Sequence, residues 1–249
     1  MNDEEILLSK RLSELANLAY QRGIPMFSDF LTLNEQNILN QVITKMPPIC
    51  VKTMGGYNLA ERKLCAFYPD EYFEQENPII CIEIRLTNKR FAEELGHRDY
   101  LGALVNLGIT RAVMGDIVVA KDCAYVFCLE KISSFILSEL CSVKHTPVTA
   151  RICEFNEEIS IQTEEITGSV SSVRIDSILS LVTGMSRSKA ITYIEDAKVF
   201  VNGKLITTNS YNLKEQDIIS VRGVGKFKYT GVTGTSKKGR TFVSVLKFS

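Results

Sequence analysis

The chain has 249 residues, 45% of them hydrophobic, and its 29 Lys and Arg equal its 29 Asp and Glu. This length and apolar content predict a folded protein with one large domain or two to three small ones. The longest apolar runs, 78–86 and 117–129, are shorter than the ~18–20 residues that span a bilayer, and the acidic N-terminus has no features of a secretory signal. We therefore predict no transmembrane helix and expect a cytoplasmic protein.

The N-terminal region is predicted to be mainly helical, with a small α/β character. Apolar residues recur at helical spacing over 4–22. A second helix is predicted over 34–45, with its N-cap within Thr32–Asn34. Residues 63–68 have the composition of a strand.

A central domain is predicted over 78–155, after an acidic stretch that ends the N-terminal domain, 1–77. Its predicted elements are strand 79–86, helix 99–107, strand 117–120, strand 124–129, helix 131–142 and strand 148–153. This order is typical of a ferredoxin-like or RRM-like sandwich, so the chain is predicted to be α+β. The central strands have no Lys/Arg-Gly-Phe/Tyr motif of the kind that stacks bases, and we expect the fold without its RNA-binding surface.

Residues 156–171 are predicted to form a polar linker with room for one further strand. A module over 172–249 follows. Its pattern predicts a helix that ends at Gly184, a second helix capped by Ser186, and a hairpin that turns at Asn202-Gly203.

Charge is unevenly divided along the chain. Residues 172–249 contain 13 Lys and Arg against 5 Asp and Glu, whereas residues 1–171 contain 16 against 24. A basic region of this size attracts phosphate backbones, so the C-terminal module is predicted to bind nucleic acid. The acidic remainder is expected to contact a different partner.

The seven cysteines are odd in number and lie mostly within apolar patterns, which is typical of small buried hydrophobic residues. The sequence has no Cys-x-x-Cys motif, and the closest pair, Cys123 and Cys128, has no neighbouring His. We therefore predict no metal site.

Five short motifs of the basic module resemble the S4 RNA-binding domain. They occur in the order Arg174–Asp176, Ser186–Ala190, Val201–Gly203, Asp217–Ile219 and Arg222–Lys226. S4 domains occur in a small-subunit ribosomal protein, tyrosyl-tRNA synthetases, pseudouridine synthases and ribosome-associated factors. The resemblance therefore implies RNA binding without specifying one task.

Motifs upstream of this module resemble the YlmH-type S4 proteins, which are encoded near cell-division genes in Gram-positive bacteria. The motifs are Gly55–Tyr57, Ala60–Lys63, Phe67–Pro69, Leu95–Ala103 and Gly115–Ile117. This resemblance implies association with the large ribosomal subunit carrying peptidyl-tRNA, in ribosome-associated quality control of stalled nascent chains. Accordingly, we expect ribosomal RNA or tRNA as partner, a protein partner for the acidic region, no cofactor, no membrane contact, and a monomer off the ribosome.

The residues expected to bind RNA are cations of the basic module. They are Arg174, Arg187, Lys189, Lys204, Arg222, Lys226, Lys228, Lys237, Lys238 and Arg240. Arg187 and Lys189 open the second helix, where free N–H groups and the helix dipole already favour a phosphate. Arg174 lies at the start of the first helix, where a cation opposes the dipole, so RNA contact explains it better than helix stability does.

A second set of residues is expected to support these cations. They are Asp176, Ser186, Asn202, Gly203, Gly223 and Gly225. Asp176 repels phosphate, and we expect it to orient the arginine two residues before it or to cap the first helix. Gly223 and Gly225 allow either a close approach of RNA or a bulge. Phe227 or Tyr229 offers a ring for base stacking, although core packing is the slightly favoured alternative.

The leading interpretation is a non-enzymatic RNA-binding factor, and two alternatives stay open. One is an RNA-modifying enzyme of the pseudouridine synthase type, but those carry S4 ahead of an Arg-Leu-Asp stretch, whereas here S4 comes last. The other is a cell-division adaptor with secondary RNA binding. His97-Arg98-Asp99 resembles a kinase triplet, but no glycine-rich nucleotide loop accompanies it, and we expect it to cap a helix.

Overall fold

The computed structural model describes residues 3–71, 77–88, 93–156, 163–236 and 239–248. They form two compact units, Met1–Ser160 and Ile161–Ser249. Within the described residues, no helix is both long and apolar enough to cross a membrane.

The first unit begins with two helices and a small antiparallel sheet. Its elements are α1 (Asp3–Arg22), β1 (Met26–Phe27), α2 (Leu33–Val42), β2 (Cys50–Met54) and β3 (Leu64–Tyr68), and a 3₁₀ turn (Ile43–Lys45) follows α2. The strand order is β1-β3-β2. Thr32 caps α2 in a capping box with Glu35, as the sequence predicts. Leu12 and Ala16 of α1 pack on Phe67 of the central strand and form the local core.

The rest of the first unit is a five-stranded antiparallel sheet with two helices. Its elements are β4 (Ile79–Leu86), α3 (His97–Asn106), β5 (Met114–Val119), β6 (Cys123–Leu129), α4 (Glu130–Glu139), β7 (Ser142–Val143) and β8 (Thr146–Ile152). The strand order is β5-β6-β4-β8-β7. The sequence of strands and helices agrees with the prediction, with β7 as an addition. Asp99 caps α3, because its Oδ2 accepts a hydrogen bond from the N–H of Gly96 at 2.8 Å.

The two sheets of the first unit share a core. Phe30, Tyr68 and Phe127 lie in one buried cluster that contains residues from both. The loop between β2 and β3 lies on this cluster, where Tyr57 stacks on Phe127 with ring centroids 4.8 Å apart. Asp116 of β5 fixes the same loop by accepting hydrogen bonds from the Tyr57 hydroxyl at 2.9 Å and from two backbone N–H groups. The predicted boundary at residue 77 lies inside this single compact unit.

The second unit is one six-stranded antiparallel sheet with two helices. Its elements are β9 (Thr163–Val170), α5 (Ile175–Thr183), α6 (Arg187–Glu195), β10 (Val199–Val201), β11 (Lys204–Leu205), β12 (Ile218–Val221), β13 (Gly225–Thr235) and β14 (Thr241–Phe248). The strand order is β11-β10-β12-β13-β14-β9. The helices and the sheet enclose a core to which Ile178, Ile194, Val221 and Val245 contribute.

The start of this unit contains the further strand for which the predicted linker had room. The predicted linker, 156–171, contains β9, which pairs with β14 along its whole length from Thr163↔Phe248 to Val170↔Thr241. Polar residues dominate this strand because it lies at the sheet edge, and its pairing partner is more than 70 residues away along the chain. The backbone ladder with β14 therefore holds a segment whose composition indicated a linker.

Candidate RNA-binding site

The turn between α5 and α6 places two arginines together. Gly184 ends α5 in the left-handed conformation, with φ of 68°. Ser186 then caps α6, because its side chain accepts a hydrogen bond from the N–H of Lys189 at 3.3 Å. Arg187 is consequently the first residue of α6 and lies beside the start of α5.

Asp176 lies between Arg174 and Arg187. Its carboxylate is buried, with 0% of the residue exposed. Arg174 donates from Nε to Oδ1 at 3.2 Å and from Nη2 to Oδ2 at 2.7 Å. Arg187 donates from Nε to Oδ2 at 2.8 Å and also places Nη2 2.8 Å from Oδ2. We call these three residues the S4 clamp.

The S4 clamp presents cationic groups while holding them in place. Burial favours the neutral acid, but hydrogen bonds from Arg174 and Arg187 outweigh it, so the pKa of Asp176 lies below its ordinary value. One carboxylate thus faces two guanidinium groups, which leaves a net positive charge. The arginine side chains are still 32% and 49% exposed. Asp176 orients both guanidinium groups, and the exposed part of each side chain is accessible to a ligand.

The hairpin turn has the geometry that its sequence predicts. Asn202 and Gly203 both have positive φ, 49° and 74°, which is typical of a type I′ turn. The Asn202 side chain also accepts from the N–H of Ile218 at 2.9 Å and donates to Asp217 at 2.8 Å. The predicted supporting role of Asn202 therefore extends beyond the turn, because it ties the hairpin to β12. Lys204 follows the turn and is exposed.

Other predicted cations lie on α6 and on the sheet of the second unit. Lys189 is exposed on α6. Lys226 and Lys228 lie on the sheet face opposite the helices, because they alternate with Phe227 and Tyr229, which are 1% and 2% exposed in the core. Core packing of Phe227 and Tyr229, the favoured alternative, is therefore confirmed. Base stacking by these residues is wrong, because both rings are buried.

The remaining predicted cations lie near turns. The guanidinium of Arg222 lies over the Phe200 ring, 4.9 Å from its centroid. Arg240 donates from Nη2 to the backbone oxygen of Ser169 at 2.6 Å and thereby ties β9 to the hairpin of β13 and β14. Lys237 and Lys238 lie outside the described residues.

Gly223, in the turn between β12 and β13, and Gly225, the first residue of β13, have backbone conformations that other residues rarely adopt. Gly223 has φ of 76° and Gly225 has φ of 146°. The turn itself therefore accounts for both, whether or not RNA approaches there.

Sequence reasoning missed the bond between Asp176 and Arg187. These residues are 11 positions apart, and no local pattern predicts their contact. The sequence offered only an indirect indication of this contact, because an acid at a buried position of a basic module needs cationic partners. Within the described residues, no group of three or more His, Cys, Asp or Glu is arranged to hold a metal ion.

Two family models match this chain. Residues 74–157 match the family described as "Putative RNA-binding domain in YlmH", and residues 173–219 match the S4 domain. The chain combines a YlmH-type RNA-binding domain with an S4 domain. The expectation that the central region has the fold without an RNA-binding surface disagrees with the description of the first family.

Two similar proteins have names of their own. The chain is 28% identical over 245 residues to "Ribosome-associated protein quality control protein P2" of Bacillus subtilis (strain 168), covering 96% of this chain and 93% of the relative. A solved structure, "Cell division protein ylmH from Streptococcus pneumoniae", has a TM-score of 0.53 and 20% identity, covering 64% of this chain and 96% of that chain. The structural likeness concerns the fold alone.

Proposed function

We propose that this protein is a non-enzymatic factor whose S4 domain binds ribosomal RNA or tRNA on the large ribosomal subunit. Its role is in translation, in the quality control of stalled nascent chains. On this proposal the protein is cytoplasmic, and the acidic region of the first unit contacts a protein partner.

The observation that carries this proposal is the S4 clamp at the N-terminus of α6. Arg174 and Arg187 are fixed by a buried carboxylate, yet each keeps a third to a half of its side chain exposed. A guanidinium group that is already oriented loses less conformational entropy when it binds a phosphate. The positive end of the α6 dipole favours an anion at the same place.

The ribosomal part of the proposal is supported by the relative from Bacillus subtilis, which is named as ribosome-associated and aligns over nearly all of both chains. Because the alignment includes both units, the likeness is not restricted to the S4 domain, which occurs in proteins of many functions. The same name supports a role in quality control rather than in ribosome structure.

The geometry of Asp176 argues against the pseudouridine synthase alternative. An aspartate that attacks a nucleoside needs an accessible oxygen, whereas both oxygens of Asp176 are buried and hydrogen-bonded to arginines. Two buried thiols are equally unsuited to attack, because burial raises the pKa of Cys65 and of Cys128 to about 12 and keeps them protonated.

Sedimentation with ribosomes tests the RNA-binding role. The variant Arg187→Gln/Lys189→Gln should no longer co-sediment with large subunits in a sucrose gradient at moderate salt, because it removes two cations at the start of α6. Lys10→Gln/Lys131→Gln removes two exposed cations from the first unit and is the matched control. Undiminished co-sedimentation of a folded Arg187→Gln/Lys189→Gln variant would falsify the assignment of the site.

Analysis of nucleosides tests the absence of catalysis. Ribosomal RNA and tRNA incubated with the purified protein should give the same nucleoside profile by mass spectrometry as untreated RNA. A new modified nucleoside that disappears with Asp176→Asn would support the enzyme instead.

A further inference from the structure

Among the described residues of the first unit, aromatic side chains cover one end of the outer face of the five-stranded sheet, which points away from α3 and α4. Ile82 and Ile84 of β4 point into the core with the helices. Cys81, Glu83 and Arg85 alternate with them and therefore point to the outer face. At one end of this face, Phe127 is covered by Tyr57 and by Phe155, whose ring centroid lies 5.0 Å away. The other end carries charged residues.

At the other end, Glu83 contacts two arginines, Arg85 of the same strand and Arg151 of the neighbouring strand β8. Glu83 pairs in register with Tyr125 of β6 on one side and with Arg151 of β8 on the other. Arg85 donates from Nη2 to Oε1 of Glu83 at 2.5 Å, and Arg151 donates from Nε to Oε2 at 2.5 Å. The Glu83 side chain is 3% exposed, whereas those of Arg85 and Arg151 are 51% and 68% exposed. We call these three residues the sheet clamp.

The sheet clamp repeats the chemistry of the S4 clamp. Burial favours neutral Glu83, but hydrogen bonds from Arg85 and Arg151 outweigh it and hold the pKa of Glu83 below its ordinary value. One carboxylate again faces two guanidinium groups, and each guanidinium has N–H donors beyond the one that Glu83 accepts. A surface ion pair contributes little to stability. A buried carboxylate that orients two exposed arginines is better explained by what the arginines bind.

An aromatic ring lies beside the sheet clamp. Tyr125 is half-buried, next to Glu83 in the sheet, and packs edge-to-face against Phe155 with ring centroids 5.1 Å apart. Cations beside an aromatic ring on an open sheet face suit single-stranded RNA, whose phosphates bind the cations while an unstacked base contacts the ring. An acidic peptide would use the cations and leave the ring without a role.

We propose that Arg85, Tyr125 and Arg151 form a second RNA-contact surface, which binds the phosphate backbone of a single-stranded segment beside the Tyr125 ring. This surface belongs to the first unit and acts separately from the S4 clamp.

The test uses the full chain and a single-stranded RNA of mixed sequence, with binding followed by fluorescence anisotropy over a range of salt. The variant Glu83→Gln/Arg85→Gln/Arg151→Gln removes the cations without leaving a buried charge unpaired. Two lost phosphate contacts should make the plot of log affinity against log salt shallower by about 1.4, at about 0.7 per contact on a single strand. Lys131→Gln changes the net charge by the same amount on an exposed helix position and should leave the slope unchanged.

A second variant and a cross-linking readout keep the test decisive. If circular dichroism shows that the triple variant is unfolded, Arg151→Gln replaces it, because this variant keeps the bond between Arg85 and Glu83. It should make the salt plot shallower by about 0.7. Ultraviolet cross-linking to the same RNA should modify the peptide that contains Tyr125. An unchanged slope in the folded variants overturns the proposal. Polyglutamate serves as the probe for an acidic peptide, and variants that lose binding to polyglutamate but keep binding to RNA also overturn the proposal. Because the S4 variant Arg187→Gln/Lys189→Gln is scored separately, either site can fail without the other.

Discussion

Replacing Asp176 with Asn separates the orientation of the S4 arginines from their charge. The substitution keeps the size of the side chain but removes the carboxylate that Arg174 and Arg187 share. It also makes residues 172–249 more basic, from 13 cationic against 5 acidic residues to 13 against 4. If charge alone drove RNA binding, the variant would bind more tightly. If the arginines bind because they are held in place, it binds more weakly.

The expected loss of stability follows from the exposure of the partners. Breaking a fully buried ion pair costs about 3–5 kcal/mol, because the remaining charge is left without solvent. Exposed pairs contribute at most about 1 kcal/mol. Arg174 and Arg187 are 32% and 49% exposed and regain water when Asp176 is neutral. We therefore expect Asp176→Asn to lower the free energy of unfolding by about 2 kcal/mol, between these two limits.

The expected loss of affinity follows from side-chain entropy. Ordering one long side chain at an interface costs about 0.5–1.5 kcal/mol, so two released arginines cost about 1–3 kcal/mol. The added net positive charge offsets part of this. We expect binding to ribosomal RNA to weaken about tenfold, which corresponds to about 1.4 kcal/mol.

The assay is equilibrium binding to ribosomal RNA by fluorescence anisotropy at a temperature where the variant is folded, with urea unfolding measured in parallel. Asp196→Asn is the matched control, since it adds the same net charge in the same unit but removes an acid that is 47% exposed and paired with Lys198. The control should bind RNA as well as the wild type or slightly better. Equal or tighter binding by Asp176→Asn would refute the idea that the buried carboxylate prepares the arginines.

Three further predictions concern stability. The pKa of Asp176 in the folded protein lies below the ~3.9 of an unfolded Asp, so the stabilisation by its carboxylate is complete above pH ~3.9 and is lost as the pH falls through the folded pKa. The difference in unfolding free energy between wild type and Asp176→Asn should therefore disappear over that acid range. A difference that persists there would contradict this. Gly56→Ala should destabilise the first unit by ~1–3 kcal/mol, because φ is +92° and a Cβ would lie 2.4 Å from the Phe127 ring; Gly102→Ala in α3, where a Cβ meets open space, should be stabilising by up to ~1 kcal/mol in the same thermal unfolding measurement, and equal melting temperatures would count against it. Asn202→Gly loses the side-chain hydrogen bonds to Asp217 and Ile218 but tolerates the positive φ, so melting temperatures should rank wild type, then Asn202→Gly, then Asn202→Ala. The reverse order of the two variants would show that φ does not matter there.

The sequence predicted those features of the fold that depend on residues close together in the chain. The N-caps at Thr32 and Ser186, the turn at Asn202-Gly203 and the helix end at Gly184 each depend on hydrogen bonds or backbone angles within a few residues. Helical spacing likewise determines which side of α5 is buried. The division of charge and the order of the S4 motifs were sufficient to predict an RNA-binding module.

The tertiary structure decided which distant residues meet. Asp176 contacts Arg187 because α5 and α6 pack across one turn, and Glu83 contacts Arg151 because β4 and β8 pair in one register. A shift of one residue in that register would place Arg151 on the opposite face of the sheet, so no local pattern contains the information. The sequence left room for a strand within 156–171 but not its place in the sheet, because the partner of β9 is the last strand of the chain. In both clamps one arginine lies two residues from the buried acid, whereas the second arginine comes from another element, and only the packing of that element brings it within hydrogen-bond distance.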